Sequence, residues 1–151
     1  RGLGLALASK CFREVPELKS FTSLSHKGNE VCFCTIGDAS TSEGQFWETV
    51  NAAGVLQVPL AIFVWDDGYG ISVPKEYQTT KGSISDLMQG FQKEDGTNGF
   101  YIYKVQGWDY AVMCEVFEEG IRQARHTHTP VLFHVAELTQ PQGHSTSGSH
   151  E

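Results

Sequence analysis

Apolar and polar residues fall along this chain in blocks whose lengths suit strands and helices in turn. Val31 to Ile36 is a short apolar run that stops at Gly37-Asp38, the length and composition of a buried strand. A Ser/Thr-rich connection follows. From about Glu43 to Gln57 the apolar residues Phe46, Trp47, Val50, Ala53, Val55 and Leu56 trace one helical stripe. Ser40 and Glu43 stand at the Ser-x-x-Glu spacing of a capping box, which predicts a helix start close to Thr41 or Ser42. Pro59 punctuates the pattern, and Leu60 to Trp65 is a second, near-continuous apolar run that stops at Asp66-Asp67-Gly68. Strand, helix and strand in this order make a βαβ unit with parallel strands, so their carboxyl ends share one rim.

The alternation continues downstream. Lys75 to Gly82 is polar loop, Ile84 to Phe91 a short helix, and Lys93 to Gly99 a further loop. Phe100 to Val105 is a third strand. Trp108 to His126 is a long helix carrying Val112, Met113, Val116, Phe117, Ile121 and Ala124, and Val131 to Ala136 is a fourth strand after Thr129-Pro130. The expected fold class is α/β, a three-layer arrangement around a mainly parallel sheet. A chain of 151 residues encloses a single core, so residues 1–151 are read as one domain. It opens on Arg1 and a Gly/Leu/Ala run without an initiator Met or an N-cap, and closes in the polar stretch GHSTSGSHE. Both ends look cut, and we expect an incomplete domain from the interior of a longer polypeptide.

Composition narrows the classes of function. Hydrophobic residues make up 40% and charged residues only 19%, against roughly 25% charged in ordinary globular proteins, which argues against disorder and coiled coil. A net charge of −7 has the wrong sign for gripping a phosphate backbone through Lys and Arg, so nucleic acid is not an expected partner. There is no apolar run long enough to span a bilayer and no secretory signal. No membrane partner is expected, and the protein is read as soluble and cytoplasmic. Cys32 and Cys34 lie two apart in a strand and point to the same face, as core thiols do.

In sheets of this kind ligands bind outside the carboxyl ends of the strands, and Asp38 and Asp67 both fall there. A hard divalent cation relieves the repulsion between two such carboxylates, and Mg²⁺ completes its octahedron with water and phosphate oxygens. The helix that follows adds free N–H groups at its start, and Ala39 and Ser40 let that backbone approach an anion closely. The plainer alternative is a pair of solvated turn aspartates. The pair His126-x-His128 sits at a helix end and suits polar capping there. His134 interrupts an apolar strand and is read as a hydrogen-bonded core or interface residue.

The stretch Gly37 to Pro74 resembles the thiamine-diphosphate motif, in which Gly-Asp-Gly ends one strand and Asn-Asn the next. Glu43-Gly44, Asn51, Ala53, Pro59, Gly68-Tyr69, Ile71-Ser72 and Pro74 are similar to the alpha subunits of 2-oxo-acid dehydrogenase complexes, especially the branched-chain type. Gly107, Asp109, Pro130-Val131-Leu132 and Gly143-His144-Ser145-Thr146-Ser147 extend the likeness over most of the chain. The resemblance implies the thiamine-diphosphate-binding fold, with thiamine diphosphate and Mg²⁺ as cofactors. It implies Asp38 and Asp67 as metal ligands, with Tyr69 ligating through its backbone carbonyl. Ala39 and Ser40 would meet the diphosphate, His144 would reach the cofactor and the reacting centre, and Ser145 matches a serine that mitochondrial relatives phosphorylate.

The reaction it implies is oxidative decarboxylation of a 2-oxo acid with transfer of the acyl group to a lipoyl-bearing acyltransferase. A beta-type domain or subunit would supply the activating glutamate within a homo- or hetero-oligomer. Three positions depart from the motif: Ala39 replaces its second Gly, Asp66-Asp67 replaces Asn-Asn, and Gln140 stands where dehydrogenase relatives carry Arg. An acidic Asp67 adds charge beside a diphosphate, and Ala39 is unfavourable only if its φ is positive. A transketolase-like thiamine-diphosphate enzyme and a non-catalytic interaction or dimerisation module of the same fold remain as alternatives.

Overall fold

The computed structural model describes residues 1–139. Four strands, β1 (Cys32–Gly37), β2 (Leu60–Trp65), β5 (Tyr101–Gln106) and β6 (Val131–Ala136), form one parallel sheet in the order β1-β2-β6-β5. A small antiparallel ribbon of β3 (Tyr69–Gly70) and β4 (Val73–Pro74) stands apart from it. The helices are α1 (Gly2–Glu14), α2 (Gly44–Leu56), α3 (Ile84–Leu87) and α4 (Tyr110–Thr127). The fold class expected from the alternating pattern is the one observed.

The sheet order explains the residue pattern of each strand. β2 and β6 lie in the middle, covered on both faces, and are buried almost end to end, whereas edge strand β1 alternates between half-buried and exposed positions. Leu60, Ile62 and Val64 point to one face and pack with Ala6 of α1, Phe46, Val50 and Ala53 of α2, and Ile84 of α3. Ala61 and Phe63 point to the other and pack with Val131, Phe133 and Ala124 of α4. Three layers follow from this two-sided alternation. Cys32 and Cys34 are free thiols on the face that meets Gly2 of α1, as alternation predicts.

Helix ends show which local signals prevailed. Asp109 caps α4, its carboxylate accepting the Val112 N–H at 3.1 Å. At the other end His128 takes a left-handed conformation, φ 55°, and its N–H closes on the Ala124 carbonyl. The terminal carbonyls of Arg125 and His126 are satisfied by the Arg13 guanidinium of α1, so an arginine from another helix adds to the cap that the His128 backbone makes and to His126 in the last turn. The His128 ring turns inward to the Gly28 carbonyl, 2.9 Å from Nε2.

The Ser40/Glu43 capping box does not form. Residues Asp38–Ser42 wind into a 3-10 turn closed by the Thr41 hydroxyl on the Asp38 carbonyl, Glu43 is extended, and α2 begins only at Gly44 with no side-chain cap. A hydroxyl that bonds its own backbone three residues back competes with the helical cap, and here it prevails. The 75–82 segment expected as plain loop holds two short 3-10 turns.

Gly120 sits in the middle of α4, where a Cβ would lie 2.5 Å from the Phe133 ring and 3.0 Å from Tyr103. Helix propensity alone favours Ala there by about 1 kcal/mol. Overpacking against β6 outweighs that gain, and Gly120→Ala is expected to destabilise the intact protein by about 1–3 kcal/mol in denaturant titrations. An unchanged or raised midpoint would show that α4 moves off the sheet without penalty.

Candidate active site

The parallel register pairs Gly37 with Trp65, so β1 and β2 end level with each other and the residues after them meet at one rim. Asp38 opens the 3-10 turn after β1; Asp66, Asp67, Gly68 and Tyr69 form the turn after β2 that leads into the β3-β4 ribbon. Between the two turns lies a cavity of about 560 Å³. Asp38, Ala39, Ser40, Asp67 and Tyr69, the described residues to which the sequence assigned cofactor or metal roles, all line it. His144, Ser145 and Gln140 lie outside the described residues.

Asp38 is only 5% exposed, and among the described residues its Oδ2 has no hydrogen-bond partner. Burial, and then the nearby carboxylates Asp66 and Asp67, push its carboxyl up to about 6. A buried carboxylate oxygen without a donor is unfavourable unless a cation or proton meets it. The donor set therefore fits a hard cation: a buried carboxylate with the half-buried Asp67 lining the same cavity. Among the described residues no group of three or more His, Cys, Asp and Glu side chains forms a metal cluster. Asp67 also accepts the Tyr69 N–H at 3.1 Å, which tightens the turn.

The Gly-to-Ala departure at position 39 is harmless to the backbone, since Ala39 is not among the described residues of positive φ. Its methyl is accommodated by Gly70, where an added Cβ would lie 2.7 Å from the Ala39 Cβ. The ribbon thus rests directly on the turn after β1. Its tip is strained: Ile71, lining the cavity, has φ 62°, which a β-branched residue seldom adopts.

Sequence reasoning missed several features of the site. Glu43, assigned to a cap, lines the cavity, as do Ile71 and Gln78. Asp66 does not face it. Burial alone would raise the Asp66 carboxyl, but hydrogen bonds from His134 and Lys75 outweigh burial and hold it below the ordinary carboxylate range. The signal was present in the sequence: a histidine in an otherwise apolar strand must find a partner, and the register that pairs His134 with Val64 sets it two residues from Asp66.

With the geometry in place, comparison with known proteins identifies the family. Residues 1–149 match the family model described as "Dehydrogenase E1 component". Among curated relatives, the alpha subunit of acetoin:2,6-dichlorophenolindophenol oxidoreductase from Bacillus subtilis (strain 168) is 28% identical over 113 residues, 75% of this chain and 32% of that protein. The pyruvate dehydrogenase E1 component subunit alpha of Acholeplasma laidlawii is 28% identical over 145 residues, covering 95% and 35%. The 2-oxoisovalerate dehydrogenase subunit alpha of Bacillus subtilis (strain 168) is 29% identical over 106 residues, covering 70% and 30%. The chain spans about a third of the length of these relatives. The match over nearly the whole sequence leads to one assignment: the chain belongs to the dehydrogenase E1 component family, and the relatives named above are alpha subunits.

Proposed function

We propose that the cavity between the β1 and β2 turns holds Mg²⁺ and the diphosphate of thiamine diphosphate, and that the intact protein oxidatively decarboxylates a 2-oxo acid. The observation that carries this is the Asp38 carboxylate, buried at the level end of two parallel strands with one oxygen that has no hydrogen-bond partner among the described residues. Asp38 and Asp67 hold the metal and the Tyr69 carbonyl completes the protein's share of its ligands. Ala39 and Ser40 offer small side chains and backbone to the diphosphate. When bound, the cofactor supplies the electron sink for loss of carbon dioxide, while the protein supplies position and charge. Beyond the described residues, His144 is assigned to the reacting centre.

The partners follow from the same reading. A beta-type domain or subunit brings the glutamate that activates the cofactor, a lipoyl-bearing acyltransferase takes the acyl group, and the assembly is an oligomer in the cytoplasm. No described helix is long and apolar enough to cross a membrane.

Titrating the intact assembly with thiamine diphosphate is expected to give saturable heat only when Mg²⁺ is present; heat independent of metal, or none, overturns the proposal. Asp38→Asn is expected to abolish that heat while stabilising the cofactor-free protein. The sign follows from the raised carboxyl: the folded state prefers the proton, so ionisation of Asp38 weakens the fold as pH rises from about 4 through 6. Above pH 6 the deficit is at most about 3 kcal/mol. The Asn variant should therefore unfold at higher denaturant than wild type at pH 7.5 and at nearly the same concentration at pH 4. Residues 1–151 alone are expected to release no carbon dioxide from pyruvate or branched 2-oxo acids, and release by this segment would contradict the need for a glutamate-bearing partner.

A further inference from the structure

Asp66 is buried behind the metal-facing turn, and its interactions join four segments of the chain. Oδ2 accepts the His134 Nε2–H at 2.8 Å and the Lys75 ammonium at 3.0 Å. Oδ1 accepts the Gly68 N–H at 3.0 Å, inside the turn itself. The Asp66 N–H donates to the Val135 carbonyl of β6, and the Lys75 N–H donates back to the Gly68 carbonyl. The far nitrogen of His134, Nδ1, shares a hydrogen bond of 2.9 Å with the Ser85 hydroxyl at the start of α3, which in turn meets Ser83. His134, Asp66 and Ser85 are 1%, 3% and 8% exposed.

The sequence Ser85–His134–Asp66 has the order of partners found in nucleophilic triads, but Ser85 is buried and does not line the cavities of the rim. The network has a different use. Asp67 lies ahead of the β3-β4 ladder that begins at Tyr69, yet Asp67 and the Tyr69 carbonyl must be held to within fractions of an ångström to serve one cation. Behind the 66–69 turn, Asp66 and the Lys75 backbone make contacts that fix it, and among the described residues the side chains that meet the Asp66 carboxylate are His134 and Lys75. Lys75 also supplies the positive charge that offsets this acidic neighbour of Asp38.

We propose that His134 and Lys75 are positioning residues: through the Asp66 carboxylate they set the turn that presents Asp67 and Tyr69 to the metal–diphosphate, and they let an aspartate occupy a position beside an already acidic site. This rests on the cofactor reading above, and it assigns no contact between His134 or Lys75 and the cofactor.

The test is calorimetric titration of the intact protein with thiamine diphosphate and Mg²⁺, alongside thermal melts of the cofactor-free form. His134→Leu and Lys75→Met are each expected to weaken binding by about 10- to 100-fold, the range seen when partners behind metal ligands are removed. Lys75→Arg, which keeps the charge and its donors, should restore it. Ala124→Gly, in the opposite core cluster, serves as the comparison: it lowers the melting temperature and leaves the dissociation constant unchanged. Lys75 is partly exposed, so Lys75→Met carries the test if His134→Leu fails to fold. The inference is overturned if both variants bind as wild type does, or if their losses of affinity are no larger than that of Ala124→Gly at matched loss of stability. Wild-type protein without metal-dependent binding removes the cofactor reading and this inference with it, which keeps the two failures distinct.

Discussion

The interaction on which the site depends is an unfavourable one. A carboxylate oxygen shut away from water and from donors raises the energy of the folded chain, and among the described residues the sheet leaves Asp38 Oδ2 in that state. β1 and β2 finish level, the 3-10 turn after β1 wraps the aspartate, and the β3-β4 ribbon settles onto the turn from the far side. The strain is local and the rest of the core offsets it: two apolar layers, one on each side of the central strands, hold the rim rigidly enough for one side chain to stay frustrated. Binding sites are commonly built in this way, with a group poised for a ligand at the expense of the unliganded state.

The electrostatics of the rim answer a difficulty raised by composition. An acidic chain with two consecutive aspartates is a poor host for a diphosphate if both face it. Only Asp67 does. Asp66 turns inward and its charge is met by Lys75, so the doubled aspartate divides into one residue for the cavity and one for the scaffold. Ionisation states divide accordingly. Burial, and after it the nearby carboxylates, raises Asp38, whereas the donors around Asp66 hold it below the ordinary carboxylate range.

Much of this was legible in the sequence, for identifiable reasons. The strand runs at 60–65 and 131–136 are apolar but for His134 because both strands are central, and their predicted bounds match those observed. The meeting of Asp38 and Asp67 followed from parallel topology alone. What escaped was decided by side chain against backbone. The start of α2 moved to Gly44 because Thr41 bonds the Asp38 carbonyl, an option that spacing does not distinguish from a cap. Helix α1 escaped because Gly2 and Gly4 blur the spacing of Leu3, Ala6 and Leu7 that packs it onto the sheet. The His134–Asp66 contact needed the strand order β1-β2-β6-β5, which places together residues 68 apart in the chain.

The close approach of Ala39 and Gly70 ties two distant positions into a single steric unit. There is room between them for one methyl group, and the chain has placed it on the side of the first turn. Enlarging residue 70 alone would lever the ribbon away from the rim and carry Tyr69 and Ile71 with it; shrinking residue 39 alone would open a slot into which the ribbon could sink. A side chain at residue 70 would also meet the Gln78 amide at 2.6 Å, so the depth at which the ribbon sits is set jointly by residues 39, 70 and 78.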